Sequence, residues 1–529
     1  MKEDIRKYSL PYLLIGALLT GLTLVFPQVG FLEWMTMIPI FIGAYRVCGS
    51  EKYSPKRAYW YGFLTVFVFY FVNYHWFLYL HPLDSVGIDR FSSVVIVTAG
   101  WVGLPILQAL PGGLIFLLFK LLHRTELLRR LPWLRPISFS VLWVVFEWSS
   151  TLHWTGVPWG RLCLGQANYL PMLQTASLFG SYFVSFLILL VNGFLAYAIL
   201  YRAHVRRAII CTAVAAALML SNLLLGIVLM DAKTESDTTV RIAALQGNIN
   251  SHEIWTSKTL EETKQIYAKL TGQAVADGAE LIVWPETAFP YTLNDNTYIC
   301  NYLSSLAREY DVTMLVGALY RDEDSNKYNA LYLIEPDGTF SSEIYLKRHL
   351  VPFGEYVPMR ELILAVIPPL AEFSDVMDNN LVAGADSALQ TTEWGSIGGL
   401  LCFDSIYEEL ALDSVRDGAE LLVLSSNDSW FYDSAAIYQH EAQAMLRAIE
   451  TGRYLVRSGN TGISTVITDK GVHLAWVDAL TEGYAVADVE LKTNTTLYSH
   501  IGNLFVYICI ASYFACLTIG IVWSKRKTV

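Results

Sequence analysis

The sequence predicts a two-part fold, a polytopic α-helical membrane domain and an α/β domain with layered sheets. Hydrophobic residues make up 54% of the 529 residues and charged residues only 16%, whereas soluble domains carry about a quarter charged residues. Long apolar segments fill the first 230 residues and recur near the C-terminus. Between them, residues 231–498 are richer in charge, and short apolar runs alternate there with amphipathic segments.

Eight segments are predicted to be transmembrane helices, because each approaches the roughly 20 apolar residues that a span requires. They cover about 8–26, 31–47, 58–80, 93–122, 137–152, 175–201, 207–230 and 502–523. The fourth contains Pro105 and Pro111, which predict a kink or a tilt, and the fifth is the shortest and carries Glu147. Seven helices thus form a predicted membrane domain at 1–230, and the eighth lies within 499–529 ahead of a basic tail.

The distribution of Lys and Arg between the spans predicts the orientation of the chain, because cytoplasmic loops are enriched in these residues. The basic segments are the N-terminus, 48–57, 120–135, 202–207 and the tail SKRKTV. The intervening loops, 27–30, 81–92 and 153–174, contain at most one Lys or Arg each. Eight spans with both termini in the cytoplasm account for this alternation and place 231–498 outside the cytoplasm.

A repeated unit predicts an α/β fold within 231–498. DGAELIV at 277–283 and DGAELLV at 417–423 each place Asp-Gly where an amphipathic helix ends and a buried strand begins, since glycine allows the left-handed cap. Several of the apolar runs are continuous, as in strands buried on both faces, so layered sheets are expected. The predicted strands are 240–248, 279–286, 313–320, 329–336, 395–403, 419–427, 464–469 and 484–491.

Several classes of site and partner are disfavoured by composition and motifs. The net charge of −11 argues against nucleic acid, which attracts basic surfaces. Seven cysteines without CxxC spacing indicate neither a disulfide framework nor a zinc site. The sequence has no HExxH, no P-loop and no GxGxxG that opens a helix. No metal or cofactor is therefore expected.

Three polar residues at the ends or edges of apolar runs are candidates for acyl chemistry: Glu286 in LIVWPE, Lys347 in EIYLKRHLVPFGEYVP and Cys402 in GGLLC. Each has an ordinary alternative, as a cap, a solvated lysine and a core cysteine. Together, Glu286 could act as base, Cys402 as nucleophile, and Lys347 with the Phe403 N–H as oxyanion stabilisers. A sharp strand-to-helix turn would expose the sulfur. The nearest histidine, His349, is interpreted as structural or on the surface, which disfavours Cys–His chemistry.

The order of these motifs resembles the nitrilase superfamily, and the membrane segments resemble one branch of it, the bacterial apolipoprotein N-acyltransferases. WTGVPWGRLCLGQ (154–166) and LFGSYFVSFLILLVNGFLA (178–196) are similar to that family's membrane region. LQGNI (245–249), PFGEYVP (352–358) and SNDSWF (426–431) are similar to its catalytic domain. The resemblance extends over nearly the whole chain.

The resemblance implies an αββα nitrilase-like catalytic domain on the outer face of the bacterial inner membrane. It also implies a ping-pong reaction in which Cys402 takes a fatty acyl chain from a phospholipid as a thioester. The acceptor would be the N-terminal amine of a diacylglyceryl-modified cysteine on an apolipoprotein. By matching motifs, Glu286 is the base, Lys347 the oxyanion stabiliser, Glu355 a second glutamate, and Trp255 a tryptophan on the substrate side.

Some positions differ from the family pattern or are predicted from their surroundings alone. Phe403 and Asp404 stand where the family often has Tyr-Glu, and Tyr432 stands where a glycine is common. We expect Trp430 and Phe431 to line the mouth of the site. The apolar run LILAVIPPLAEF (362–373) is predicted to be a lid that dips into the membrane surface, although a core segment is the alternative.

Two other functions remain open from the sequence. A membrane-tethered nitrilase or amidase would use the same three residues and give its acyl group to water. A transporter or receptor with a non-catalytic outer domain is favoured only by Glu147 and Arg161, since ionisable residues within membranes often mark pathways.

Overall fold

The computed structural model describes residues 9–84, 87–152, 154–233, 236, 238–249, 256–361 and 381–528. They form two compact units. The first contains the chain up to Phe77, Thr98–Ala232 and the chain from Ile501, and the second contains Leu78–Val97 and Lys233–His500. Leu78–Val97, which the sequence assigned to a membrane domain at 1–230, thus groups with the second unit. Its polar stretch HPLDSVGIDR interrupts the apolar helical pattern.

The described residues up to Asp231 and those at the C-terminal end are helical. The α-helices are Ser9–Val25, Glu33–Thr36, Ile38–Cys48, Pro55–Asn73, Arg90–His123, Glu126–Arg130, Leu134–Ser149, Leu170–Leu173, Ala176–Phe179, Ser181–Leu200, Val205–Asp231 and Leu504–Thr528. Short 3-10 helices cover Pro27–Leu32, Tyr74–Leu80 and Leu162–Gln166.

Six helical stretches among the described residues are long and apolar enough to cross a membrane, rather than the eight predicted. They are Pro27–Cys48, Pro55–Leu80, Arg90–His123, Ser181–Leu200, Val205–Asp231 and Leu504–Arg526. The other two predicted spans also fall on helices, but Ser9–Val25 and Leu134–Ser149 have only 17 and 16 residues. At 1.5 Å per residue, about 25 Å of helix is shorter than the hydrocarbon core of a bilayer.

The two ionisable residues that could have indicated a transport pathway are packed inside the first unit. Glu147 is 1% exposed, and its Oε1 accepts hydrogen bonds from Trp143 Nε1 at 3.2 Å and from the Leu162 amide at 3.1 Å. Arg161, also 1% exposed, stacks its guanidinium over the Tyr182 ring at 4.8 Å. Both therefore have structural partners, and neither contributes a specific argument for transport.

The second unit is built on two six-stranded sheets. The first has the order β12-β1-β2-β3-β4-β5 and the second β11-β10-β9-β8-β7-β6. Strands β1–β3 are mutually parallel, as are β7–β9. The bounds are β1 Thr238–Gln246, β2 Leu281–Val283, β3 Thr313–Arg321, β4 Lys327–Ile334, β5 Tyr345–Leu346, β6 Gln390–Thr392, β7 Gly395–Leu401, β8 Leu421–Ser426, β9 Leu455–Gly459, β10 Ser464–Ile467, β11 His473–Val477 and β12 Gly483–Leu491.

Successive side chains of a strand point to opposite faces of its sheet. Because these strands are apolar on both faces, one face of each sheet packs on the other sheet and the second face packs on helices. On β1, Ile242 and Ala244 join a core shared with Leu401 and Val423 of the second sheet. Their neighbours on the same strand join a second core, which includes Leu270 from a covering helix. This double-sided burial explains why the predicted strands were continuously apolar.

Helices cover the outer face of each sheet and complete the αββα sandwich, which confirms the predicted fold class. Ser257–Ala276 and Thr297–Tyr310 pack on the first sheet. Glu408–Arg416 and Ala435–Thr451 pack against β7 and β9 of the second. The remaining elements of the unit are the helix Leu497–Ile501 and the 3-10 helices Leu293–Asp295, Cys402–Ile406 and Ser429–Phe431.

The repeated Asp-Gly unit is confirmed at both of its positions. Gly278 has a φ of +88° and Gly418 a φ of +113°, and each follows a helix and precedes a parallel strand, β2 or β8. A residue with a side chain would be strained there, which is the reason for glycine. The two halves of the sandwich thus repeat one helix–turn–strand unit.

Candidate active site

Glu286 lies just beyond the end of β2, where the chain leaves the first sheet. Trp284 anchors this exit by stacking on the Tyr267 ring, with centroids 4.5 Å apart. On the neighbouring strand β3, Gly317 permits a close approach, because a Cβ there would lie 2.7 Å from Glu286 Cα. Only a residue without a side chain leaves room for Glu286 in this position.

A buried cluster joins the predicted base to the predicted oxyanion stabiliser. Lys347 Nζ lies 2.8 Å from Glu286 Oε1 and 2.8 Å from Glu355 Oε1. The Lys347 side chain is 1% exposed, that of Glu286 6% and that of Glu355 15%. Glu286, which is 61 residues from Lys347 in the sequence, is therefore in direct contact with it, and one ammonium group is shared by two carboxylates.

Asn329 on β4, which the sequence analysis did not identify, completes the cluster. Its Nδ2 donates to Glu286 Oε1 at 2.7 Å and to Glu355 Oε1 at 3.1 Å. The backbone N–H of Asn427 donates to Glu286 Oε2 at 3.0 Å, so both oxygens of that carboxylate are held in place. Asparagine within the apolar run YNALYLI was the available signal, because a polar side chain on a buried strand needs a partner.

The electrostatics of the cluster keep Lys347 charged. Burial acts to lower its pKa, but the Glu286 and Glu355 carboxylates outweigh burial and hold the pKa of Lys347 well above its usual value. An ammonium that two carboxylates fix in position is a preorganised positive charge, which is the requirement for stabilising an oxyanion.

Cys402 follows β7 directly and occupies a sharp turn into the 3-10 helix Cys402–Ile406. Its φ of +47° lies in the left-handed region that residues other than glycine seldom adopt. The residue is partly exposed. This geometry confirms the predicted strand-to-helix turn, and a strained residue held at such a point is typical of functional sites.

The Cys402 thiol is near both Glu286 and Lys347. Burial, and next the Glu286 carboxylate, raise the pKa of the Cys402 thiol well above its usual value, while the Lys347 ammonium acts in the opposite direction. The resting sulfur is therefore a neutral thiol that needs a base before it can attack. Glu286 and Lys347 are therefore in direct contact, and both interact electrostatically with the Cys402 thiol.

Asp404 links the turn to the segment that carries Lys347. Its carboxylate accepts hydrogen bonds from the Leu401 amide at 3.0 Å, the Tyr345 hydroxyl at 2.8 Å and the His349 amide at 2.8 Å. Tyr345 and His349 flank Lys347 in sequence, so one buried carboxylate sets the distance between the sulfur and the ammonium. The shorter acid at this position therefore retains a side-chain role.

Replacing Asp404 with asparagine is expected to destabilise the second unit by about 1–3 kcal/mol, because the amide nitrogen then faces a buried donor. If Cys402 is the nucleophile, as the sequence predicts, formation of its acyl-enzyme should fall as well, because the spacing between Cys402 and Lys347 is no longer fixed. Thermal unfolding and intact-mass measurement test the two effects. The matched control is Asp413→Asn, whose carboxylate is 39% exposed in a pair with Arg348. Equal stability of the two variants would contradict the linking role.

The remaining predicted residues are placed less completely. Phe403 is 8% exposed and meets the Tyr407 ring edge-on at 5.5 Å. Trp430 and Phe431 are half-buried in the 3-10 helix Ser429–Phe431. Tyr432 has a φ of +47°, which explains why glycine is common at this position. Trp255 and the predicted lid at 362–373 lie outside the described residues.

A histidine that the sequence analysis did not identify, His440, lies beside the candidate nucleophile. His440, 1% exposed, has its Nε2 3.0 Å from the carbonyl oxygen of Cys402 and its Nδ1 2.8 Å from Asp428 Oδ1. The sequence did not reveal this contact because His440 lies 38 residues from Cys402. The apolar pattern of its helix does not indicate which residues face the turn. The interpretation of His349 as structural agrees with its ring, which stacks on Tyr407 at 3.9 Å.

Cys402, Asp428 and His440 also have donor atoms within 4.8 Å of one another, a spacing that a metal ion could use. Asp428 is already paired with the buried guanidinium of Arg457, however, and both ring nitrogens of His440 face hydrogen-bond partners. A divalent cation would have to displace those contacts and lie beside a fixed positive charge, so the donor set does not favour a metal.

Two family models match the chain, one in its helical N-terminal region and one in its α/β region. The apolipoprotein N-acyltransferase N-terminal domain matches residues 16–194, and the carbon-nitrogen hydrolase model matches residues 241–497. An apolipoprotein N-acyltransferase of Geobacter metallireducens is 33% identical over 97% of this chain and 95% of its own length. The chain belongs to the apolipoprotein N-acyltransferase family.

Further relatives support the same membership. Proteins of that name from Gloeobacter violaceus and Methylococcus capsulatus are 32% and 31% identical, over 93% and 79% of this chain and 90% and 79% of their own lengths. The resemblance seen in the sequence is therefore confirmed. The chain is an enzyme of the nitrilase superfamily with a helical, multi-pass membrane region, and membership favours acyl transfer over the hydrolase and transporter alternatives.

Proposed function

We propose that this chain transfers a fatty acyl chain from a phospholipid to the N-terminal amine of a diacylglyceryl-modified cysteine on an apolipoprotein. The observation that carries the proposal is the contact of one buried lysine with two carboxylates, next to a thiol held at a strained turn. The membrane region supplies the reason for a lipid donor and a lipoprotein acceptor. No metal or cofactor takes part in the proposed reaction.

In the first half-reaction, the Cys402 sulfur attacks the ester carbonyl of the phospholipid while Glu286 takes the thiol proton. Negative charge develops on the carbonyl oxygen, where the Lys347 ammonium and the Phe403 N–H stabilise it. The ester C–O bond then breaks. Glu286 returns the proton to the leaving alkoxide, so the products are a lysophospholipid and a thioester on Cys402.

In the second half-reaction, the acceptor amine attacks the thioester carbonyl and Glu286 takes a proton from the amine. The same oxyanion stabilisers act again, and the C–S bond breaks to form the amide. Glu286 then returns the proton to sulfur, which restores the thiol. Glu355 has no proton to transfer in this scheme, and its role is to hold Lys347 in position.

The thioester must outlast its exposure to water for transfer to prevail over hydrolysis. An apolar cover over the site would exclude water from the thioester. We assign that role to the predicted lid at 362–373, with Trp430 and Phe431 at the mouth of the site and Trp255 on the substrate side. The Lys and Arg distribution supports cytoplasmic termini and a catalytic domain on the outer, periplasmic face of the inner membrane.

Intact-mass analysis of the purified chain tests the proposal. Incubation with mixed micelles of a dipalmitoyl phospholipid should add one palmitoyl group to the wild-type chain and none to Cys402→Ala. Addition of a dipalmitoylglyceryl-cysteine peptide with a free amine should then remove the acyl group and yield the N-acylated peptide.

Two results would contradict the proposal. Loss of the acyl group to water at the same rate with and without the peptide would indicate a hydrolase. Transfer by Cys402→Ala at the wild-type rate would exclude the thioester.

A further inference from the structure

We propose that His440 is a positioning residue for acyl transfer: by donating to the carbonyl of Cys402, it fixes the direction in which the Phe403 N–H meets the oxyanion. The inference rests on the proposed function, in which that N–H is one of two oxyanion stabilisers. Neither the motif order nor the family resemblance assigned a role to His440.

The contacts of His440 orient its ring between Asp428 and Cys402. Its Nδ1 lies 2.8 Å from Asp428 Oδ1, and its Nε2 lies 3.0 Å from the Cys402 carbonyl oxygen. A carbonyl oxygen can only accept, so the contact with Cys402 requires a hydrogen on Nε2. The ring is thus anchored at one side by Asp428 and presents an N–H to the backbone of Cys402 at the other.

The anchor itself is rigid. Asp428 is 0% exposed, its second oxygen pairs with the buried Arg457 guanidinium, and Ser426 Oγ donates to its first oxygen at 3.1 Å. Burial opposes the charge, but Arg457 and His440 together hold the pKa of Asp428 well below its usual value. A permanently ionised, fixed carboxylate therefore orients the imidazole, as in sites where a buried acid orients a histidine.

Peptide geometry transmits this orientation to the oxyanion side. The Cys402 carbonyl and the Phe403 N–H belong to one planar trans peptide unit and point in opposite directions. Ser405 Oγ also donates to the Cys402 oxygen, at 2.9 Å, and lies 3.0 Å from His440 Nε2. Two buried donors therefore hold one end of the peptide, which prevents rotation of the N–H at the other end, and they polarise it toward stronger donation.

Positive φ at Cys402 makes such support necessary. A cysteine at +47° is in a sparsely populated conformation that persists only when surrounding contacts fix it. Asp404 fixes the amide of Leu401 on the strand side of the turn, and His440 with Ser405 fixes the carbonyl on the helix side.

A matched pair of substitutions separates positioning from general structural support. In His440→Gln, the amide nitrogen can stand near the position of Nε2 and donate to Cys402, whereas in His440→Asn the shorter side chain reaches Asp428 but not the carbonyl. We expect acyl-enzyme formation to fall about 10²-fold in His440→Asn, because an oxyanion donor is misplaced. In His440→Gln it should stay within about tenfold of the wild type.

Alkylation of Cys402 by iodoacetamide is the second readout, with Cys402→Ala as the blank for the other cysteines. This reaction displaces iodide at a methylene carbon and develops no oxyanion, so its rate should be similar in both variants. Ser405→Ala should lower acyl-enzyme formation without changing alkylation, since it removes the other donor. Equal acylation by the two His440 variants, or a parallel fall of acylation and alkylation, would overturn the inference.

A p-nitrophenyl ester serves as a second acyl donor. With it, failure of the proposed lipid donor can be distinguished from failure of the proposed role of His440. If the wild-type chain takes an acyl group from this ester but not from phospholipid, the proposed lipid donor is wrong and His440 is judged with the ester. If the wild-type chain takes an acyl group from neither, Cys402 is not an acyl carrier and both proposals are rejected.

Discussion

Replacing Lys347 with methionine is expected to destabilise the second unit by about 3–5 kcal/mol and to eliminate acyl-enzyme formation. The stability loss follows because methionine leaves Glu286 and Glu355 buried and adjacent without a cation, and breaking a buried pair is more costly than removing an exposed one. The activity loss follows because the oxyanion loses its charged stabiliser, an effect of about 10²–10³-fold or more. Chemical denaturation and intact-mass measurement with phospholipid check the two effects.

A second substitution separates these two roles of Lys347. In the double variant Lys347→Met with Glu355→Gln, one of the two uncompensated carboxylates is gone, so part of the lost stability should return. Acylation should not return, because no positive charge faces the oxyanion. Lys269→Met, which removes an exposed ammonium paired with Glu482, is the control for loss of charge alone. Recovery of acylation in the double variant would contradict the oxyanion role of Lys347.

The fold was predictable from the sequence where burial alone determines the structure. All eight predicted strands are confirmed, because strands buried on both faces leave continuous apolar runs such as VRIAALQ in β1. The strands that were missed follow other rules. β9, LVRSG, contains the buried residues Arg457 and Ser458, and a buried arginine on a central strand is explained only by its pairing with Asp428.

The candidate site was predictable only in part, for a related reason. Glu286 and Cys402 each follow an apolar parallel strand, β2 of the first sheet and β7 of the second, so their positions at strand ends could be predicted. Asn329 and His440 act through contacts between elements that are distant in sequence. Neither residue interrupts a periodic pattern in a way that specifies its partner, so only the three-dimensional structure reveals the contact.

Glu286 and Glu355 are expected to have different roles, because their contacts differ. Glu286 lies beyond β2, close enough to Cys402 for its charge to be the second-largest influence on the thiol. Glu355 instead accepts from the Val351 amide at 2.8 Å and reaches the site through Lys347. Removing the first should therefore affect proton transfer, and removing the second should affect only the position of the ammonium.

Replacing Glu286 with glutamine is accordingly expected to slow acyl-enzyme formation by about 10²–10⁴-fold near neutral pH, the range for loss of a general base. The residual rate should depend steeply on pH. Burial, the largest cause of the raised pKa of the Cys402 thiol, remains in the variant. The thiolate fraction is therefore small near neutrality and increases about tenfold per pH unit below that pKa. The variant should therefore regain activity as the pH rises, whereas the wild type, which has its own base, should depend less on pH.

Intact-mass time courses from about pH 6 to about pH 10, a range that spans the ordinary pKa of a thiol, measure both profiles. Glu355→Gln is the informative comparison, because it keeps the base and should lower the rate without steepening the pH profile. Glu482→Gln, on the surface, controls for loss of a carboxylate. If Glu286→Gln and the wild type had parallel pH profiles, Glu286 would not be the base.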